Sequence, residues 1–265
     1  MTSPAFRTVR VPSRAHTPGP VFVLLHGIGL SHREFTRLAR HLSGAGEVIS
    51  FDLPGFGPTP RPQQQLTVHD HAAIVSAELE RMNVGPAVVV GHSMGAQFAL
   101  ELARLNPGAV DRVVLIGPVV DAKKPTLTAQ AIALLLDSPL EPPATQAMVM
   151  FDYLRCGVRW FLTEAVEMRD YDTHLAIRDV AHPVLVIRGG KDPIADAPWC
   201  ESLVAGVPNR RVATIAGYRH NVVHSNAAAT ADAILSFMAE PLLRQQGQLG
   251  DHPRMGENPE VASRV

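Results

Sequence analysis

The pentapeptide Gly91-His92-Ser93-Met94-Gly95 sets a serine between two glycines, after the apolar run 87–90 and before a helix-like stretch, 94–107. Such a G-x-S-x-G pattern can hold a serine exposed on a strained strand-to-helix turn, and the glycines let neighbouring backbone approach where a Cβ would clash. A hydroxyl in that position becomes a nucleophile only with a base beside it and a third group to orient the base. Asp192, in "VLVIRGGKDPIAD", follows one apolar run, and His220, in "VATIAGYRH", follows the next. Asp121, after "VVLIGP", is a competing acid, and Asp196 reads as the start of a helix. A hydroxyl, an imidazole and a carboxylate brought together suit acyl transfer, in which developing negative charge needs preorganised N–H donors. The Gly-rich turn "HGIG" offers the backbone N–H of Ile28, and Met94 offers a second. His26 is expected to brace that turn.

Two histidines four apart, His220 and His224, also raise the question of a metal. A zinc-peptidase reading requires Glu directly after the first histidine, and Asn221 stands there. His220 is therefore expected to be the base, with His224 a pocket-lining or structural residue. The pair His69 and His71 reads as the solvated first turn of a helix. No cofactor and no metal are expected.

These side chains need a scaffold. Short apolar, β-branched runs at 21–25, 48–50, 87–90, 113–116, 184–187 and 212–215 suit strands covered on both faces, hence a mostly parallel sheet. Amphipathic stretches alternate with them. Thr67 with Asp70 three residues on predicts a capped helix that stops at Gly85, and Asn226 predicts the start of a last helix that stops at Pro241. Strand then helix, repeated, gives an α/β doubly wound fold. Residues 118–182 break the alternation with helix-like stretches at 126–137, 142–156 and 158–171, which predicts a helical lid between two late strands. The expected organisation is a core of 1–117 and 183–240, a lid of 118–182 and a disordered tail of 241–265.

Bulk composition excludes several partners. In 265 residues, Lys+Arg 24 against Asp+Glu 25 gives a net charge of -1, so no field favours nucleic acid or an anionic membrane. Cys156 and Cys200 are too few for a disulfide framework. Without an apolar leader or a long apolar run, a cytoplasmic protein is expected.

With "HGIG", "FDLPGFG", "GHSMG", "GGKDP" and "GYRH" in family order, the chain resembles the α/β-hydrolase superfamily over about residues 18–240, in particular its lid-bearing esterase-like members. The resemblance implies a turn near the pocket at 51–57, including Phe56, and aligns His220 with the family's base. It also implies an acidic residue near 225–226, where Ser225 and Asn226 stand instead. The expected activity is hydrolysis of a carboxylic ester, thioester or related small acyl compound by Ser93, His220 and Asp192. His26, Phe56, Tyr153, Trp160 and His224 are the candidate pocket residues, and Arg155 or Arg159 could meet a substrate carboxylate. Alternatives on the same fold are a carbon–carbon bond hydrolase, a cofactor-free haloperoxidase or perhydrolase, and a non-catalytic small-molecule receptor. The carbon–carbon hydrolases usually carry Trp after the histidine, and this chain has Asn221.

Overall fold

In the computed structural model, residues 4–121, 126, 134, 137–207 and 209–240 are described. Seven strands form one sheet in the order β1-β3-β2-β4-β5-β6-β7. They are β1 (Arg7–Val11), β2 (Val21–Leu25), β3 (Glu47–Asp52), β4 (Ala87–His92), β5 (Val110–Ile116), β6 (Val184–Gly189) and β7 (Arg210–Ile215). Only β1 runs antiparallel to its neighbour, β3. The six runs read as strands all lie in this sheet. The seventh strand, β1, carries no such run: its Arg-Thr-Val-Arg-Val sequence alternates and stays half-exposed at an edge.

Side chains alternate across the sheet and so feed two cores. Phe22 and Leu24 pack on one face with Phe35, Leu38 and Leu42 and with Ile234 and Phe237. These come from α1 (Thr36–Leu42), the short turn before it, and α9 (Ala227–Ala239). Val23 and Leu25 pack on the other face with Val75, Phe98 and Leu203. Those belong to α2 (Val68–Arg81), α3 (Met94–Leu105) and α7 (Ala197–Val204). Each fully buried Leu or Phe contributes about 1.5–3 kcal/mol by leaving water, so the two layers fix the sheet from both sides.

Helix ends follow local chemistry. Thr67 and Asp70 form the expected capping box of α2. The helix closes earlier than Gly85, because Asn83 takes the left-handed conformation at φ 53° and the N–H groups of Asn83 and Val84 bond back to Glu80 and Leu79. Asn tolerates that conformation better than most residues, so it supplies the stop. Asn226 caps α9 by accepting from the Ala229 N–H.

Between β5 and β6 lie α4 (Pro143–Cys156), α5 (Val158–Asp170) and the short α6 (Thr173–Ala176). The helix expected at 126–137 falls largely outside the described residues, as does the tail expected at 241–265. Trp160, Ala165 and Met168 of α5 join the core on the α2–α3 face. Among the described residues no helix is long and apolar enough to cross a membrane.

Candidate active site

The chain leaves β2 for β3 on one side and returns to β4 on the other, so a crevice opens at the carboxyl ends of β2 and β4. Gly27 and Ile28 follow β2 and Ser93 follows β4, which brings all three to its mouth.

Ser93 has φ 54° and ψ -119°, a conformation rare for a residue with a side chain, and its N–H donates to the Ile116 carbonyl at 2.8 Å. α3 begins at the next residue, Met94. A Cβ on Gly91 would collide with the Gly95 carbonyl, and one on Gly95 with the Leu25 carbonyl, so both flanking glycines are required by close backbone approach.

His220 and Asp192, on the loops after β7 and β6, meet beside this turn. Nδ1 of His220 donates to Asp192 Oδ2 at 2.9 Å, while Asp192 Oδ1 accepts the N–H groups of Ile194 at 2.8 Å and Ala195 at 3.0 Å. Burial opposes charge on Asp192, but the His220 ring and the two backbone donors outweigh it and hold the carboxyl below its ordinary range. Burial likewise disfavours the charged form of His220, yet Asp192, and behind it Asp137 and Glu141, raise the imidazole above its ordinary 6.5. Of the two candidate acids it is Asp192 whose carboxylate meets Nδ1. Asp121 is also buried, and Asp196 caps α7 by accepting from the Trp199 N–H at 2.9 Å.

Asp137 and Glu141 have no counterpart among the sequence-selected residues. The His220 N–H donates to Asp137 Oδ2 at 3.4 Å, Arg219 pairs with Asp137 at 3.1 Å, and the Asn221 N–H donates to Glu141 Oε1 at 2.8 Å. Both carboxyls are raised, chiefly by burial. Their only sequence signal is an acid at each end of the apolar-to-proline stretch 137–141, too weak to assign a partner.

His26 braces the turn after β2. Its Nδ1 donates to the Gly27 carbonyl at 2.9 Å, and its Nε2 accepts the Leu53 N–H at 3.1 Å, which fixes a neutral ring. In a planar trans peptide the N–H points opposite to the carbonyl. Pulling the Gly27 carbonyl toward His26 therefore turns the Ile28 N–H away from it.

A cavity of about 370 Å³ is lined by Gly27, Ile28, Ser93 and His220 at its base and by Met150, Tyr153, Phe161, Leu162 and Met168 from α4 and α5. None of its described lining residues is Lys, Arg, Asp or Glu. Of the candidate pocket residues, Tyr153 lines it, with its phenol pushed up by burial and so neutral. Phe56 packs edge-on against His26 and against Trp160 in the core behind the cavity wall. His224 sits on the one-turn α8 (Val222–Ser225), with Nδ1 bonded to Thr145 Oγ1 at 2.9 Å, and is lowered by burial and then by Arg37. Arg155 and Arg159 line two other depressions, away from Ser93. His69 is half-exposed beside Glu101, as a solvated turn requires, but His71 is fully buried and meets Glu164 of α5 at 3.2 Å. The helical period explains the difference: His71 lies on the face of α2 that packs inward with Val68, Ala72 and Val75.

Residues 22–233 match the model of the alpha/beta hydrolase family. The chain belongs to the alpha/beta hydrolase family. It is 25% identical to the AB hydrolase superfamily protein YisY of Bacillus subtilis, over 83% of this chain and 91% of that one. It is 28% identical to the polyketide synthase ThaQ of Burkholderia thailandensis over 84% of its own length, and spans only 12% of that much longer protein. The solved enol-lactonase of Burkholderia xenovorans shares the alpha/beta hydrolase fold at a TM-score of 0.76 and 19% identity, with 89% of this chain and 96% of that one covered.

Proposed function

We propose that this alpha/beta hydrolase is a serine hydrolase that cleaves uncharged, largely apolar esters or thioesters through an acyl-enzyme. The carrying observation is that Ser93, in a strained turn, lines the same cavity as a histidine bonded to a buried carboxylate. With Nδ1 engaged by Asp192, Nε2 of His220 is the nitrogen free to take the Ser93 proton and return it to the leaving group. The Ile28 and Met94 N–H groups hold the oxyanion, Met94 contributing from the first turn of α3, whose N–H groups lack partners within the helix. Water then attacks the acyl-enzyme, with His220 again the base.

The helices α4 and α5 act as the lid and set the substrate class. Among the described residues, the apolar cavity wall has no cation to pair with a substrate carboxylate, and burying an unpaired carboxylate is costly. This favours neutral acyl groups over the carboxylate-bearing substrates that Arg155 or Arg159 would have suited. By its name the enol-lactonase opens an ester-type bond, which agrees with this chemistry. The test is Ser93→Ala in a panel of neutral and carboxylate-bearing activated esters. Turnover should fall at least about a thousandfold, since the triad acts as a unit. Neutral medium-chain esters should be the best wild-type substrates. Undiminished turnover by the folded variant refutes the reading.

A further inference from the structure

Two buried residues that no step above uses join three loops of the site. Glu34 stands in the turn after β2 and is fully buried, and His92 precedes Ser93 and is 1% exposed. Glu34 Oε1 accepts the Gly27 N–H at 2.9 Å, and Oε2 meets His92 Nδ1 at 2.9 Å. On its far side, His92 Nε2 donates to the His220 carbonyl at 3.1 Å. One carboxyl and one imidazole thus bridge the Ile28 turn, the Ser93 turn and the His220 loop.

Donor and acceptor matching constrains the protons. The His220 carbonyl only accepts, so Nε2 must carry hydrogen, and Glu34 Oε1 is already taken by the Gly27 N–H. A single proton then lies between Glu34 Oε2 and His92 Nδ1, whichever atom holds it. Every hydrogen-bonding atom of the two side chains that faces another loop is engaged. Both backbone groups of Gly27 are held, its N–H by Glu34 and its carbonyl by His26.

We infer that Glu34 and His92 are positioning residues that set the relative placement of the Ile28 N–H, Ser93 and His220 through hydrogen bonds and not through charge. This rests on the serine-hydrolase reading, since only there do these three groups need a common geometry. A glutamine at position 34 keeps the whole network: its carbonyl accepts the Gly27 N–H, its amide donates to Nδ1, and the neutral ring keeps its Nε2 hydrogen for His220. Alanine keeps none of it.

The experiment is the rate of Ser93 labelling by a fluorophosphonate, with kcat and KM on a neutral ester measured in parallel. Glu34→Ala should slow labelling and lower kcat about a hundredfold with KM nearly unchanged, as a misplacement of about 1 Å does. Glu34→Gln should stay within about threefold of wild type, a rescue that a mere filler of space would not show. If Glu34→Ala does not fold, Glu34→Asp, one methylene short, should slow labelling about tenfold. A folded Glu34→Ala or Glu34→Asp that labels at the wild-type rate overturns the inference, and so does a Glu34→Gln as slow as alanine. Failure of the wild type itself to label at Ser93 overturns the serine-hydrolase reading, which separates the two.

Discussion

At the carboxyl ends of β2, β4, β6 and β7, Glu34, His92, Asp192 and His220 are all buried and hydrogen-bonded to one another or to backbone, whereas α4 and α5 turn Phe151, Leu154 and Val158 to solvent and Met150 and Leu162 to the open cavity. The rim is held by short polar bonds inside a low-dielectric core, where geometry is strongly specified. The helices above it are tied by separate straps: Ser31 to Asp152 at 2.6 Å, Arg61 to the Cys156 carbonyl at 2.6 Å, and His71 to Glu164 at 3.2 Å. The difference separates two jobs. Changes at the rim should act on the rate of bond making, and changes on α4 and α5 on which acyl group fits.

The sharpest way to break that division is Asp192→Asn. The amide can still accept from Ile194 or Ala195, but its NH₂ must face His220 Nδ1, which drives the ring proton to Nε2 and removes the base. kcat should fall about ten-thousandfold with KM little changed, as for the wrong tautomer in any such triad. A loss confined to KM would place the carboxylate in binding instead. Leu162→Trp probes the other region. A larger side chain on the cavity wall should lower kcat/KM for a long acyl ester about tenfold relative to acetate, through lost space worth about 1–3 kcal/mol. An equal loss on both esters would mean that α5 also shapes the reacting centre.

Asp137→Asn tests where the two regions touch, since this carboxylate caps the His220 N–H from the segment between β5 and β6. Asp192, Asp137 and Glu141 together raise His220, so the neutral base, and with it the acid limb of kcat/KM, should appear above pH 6.5. Removing one negative charge disfavours the imidazolium, so the limb should move to lower pH while the plateau rate changes within about threefold. An unmoved limb would show that Asp137 only orders the loop.

Much of this could be read from the residues, for physical reasons that differ by element. The six parallel strands announce themselves because burial on both faces demands continuous apolar runs, as in "VFVLL" and "AVVV". The edge strand β1 obeys no such demand. Ser93 was legible because backbone collision at Gly91 and Gly95 restricts the types around it, and Asp192 and His220 because each follows a strand. His92 with Glu34, and His220 with Asp137, lie 58 and 83 residues apart and are joined only by folding. A buried Glu in "SHREF" or Asp after "IALLL" looks no different from a surface one until the partner is in place. The inward face of His71 is written in its helical spacing from Val68, Ala72 and Val75, but its partner Glu164, 93 residues away, is not.

The most direct measurement of the central claim, that Ser93 is a nucleophile activated by His220, is peptide mass mapping after treatment of the wild-type protein with a fluorophosphonate. One phosphonyl adduct is expected on Ser93, with fluoride released, and none on that peptide when His220 is replaced by alanine. An unmodified Ser93 in the folded wild-type protein, or an adduct formed equally fast without His220, would contradict it.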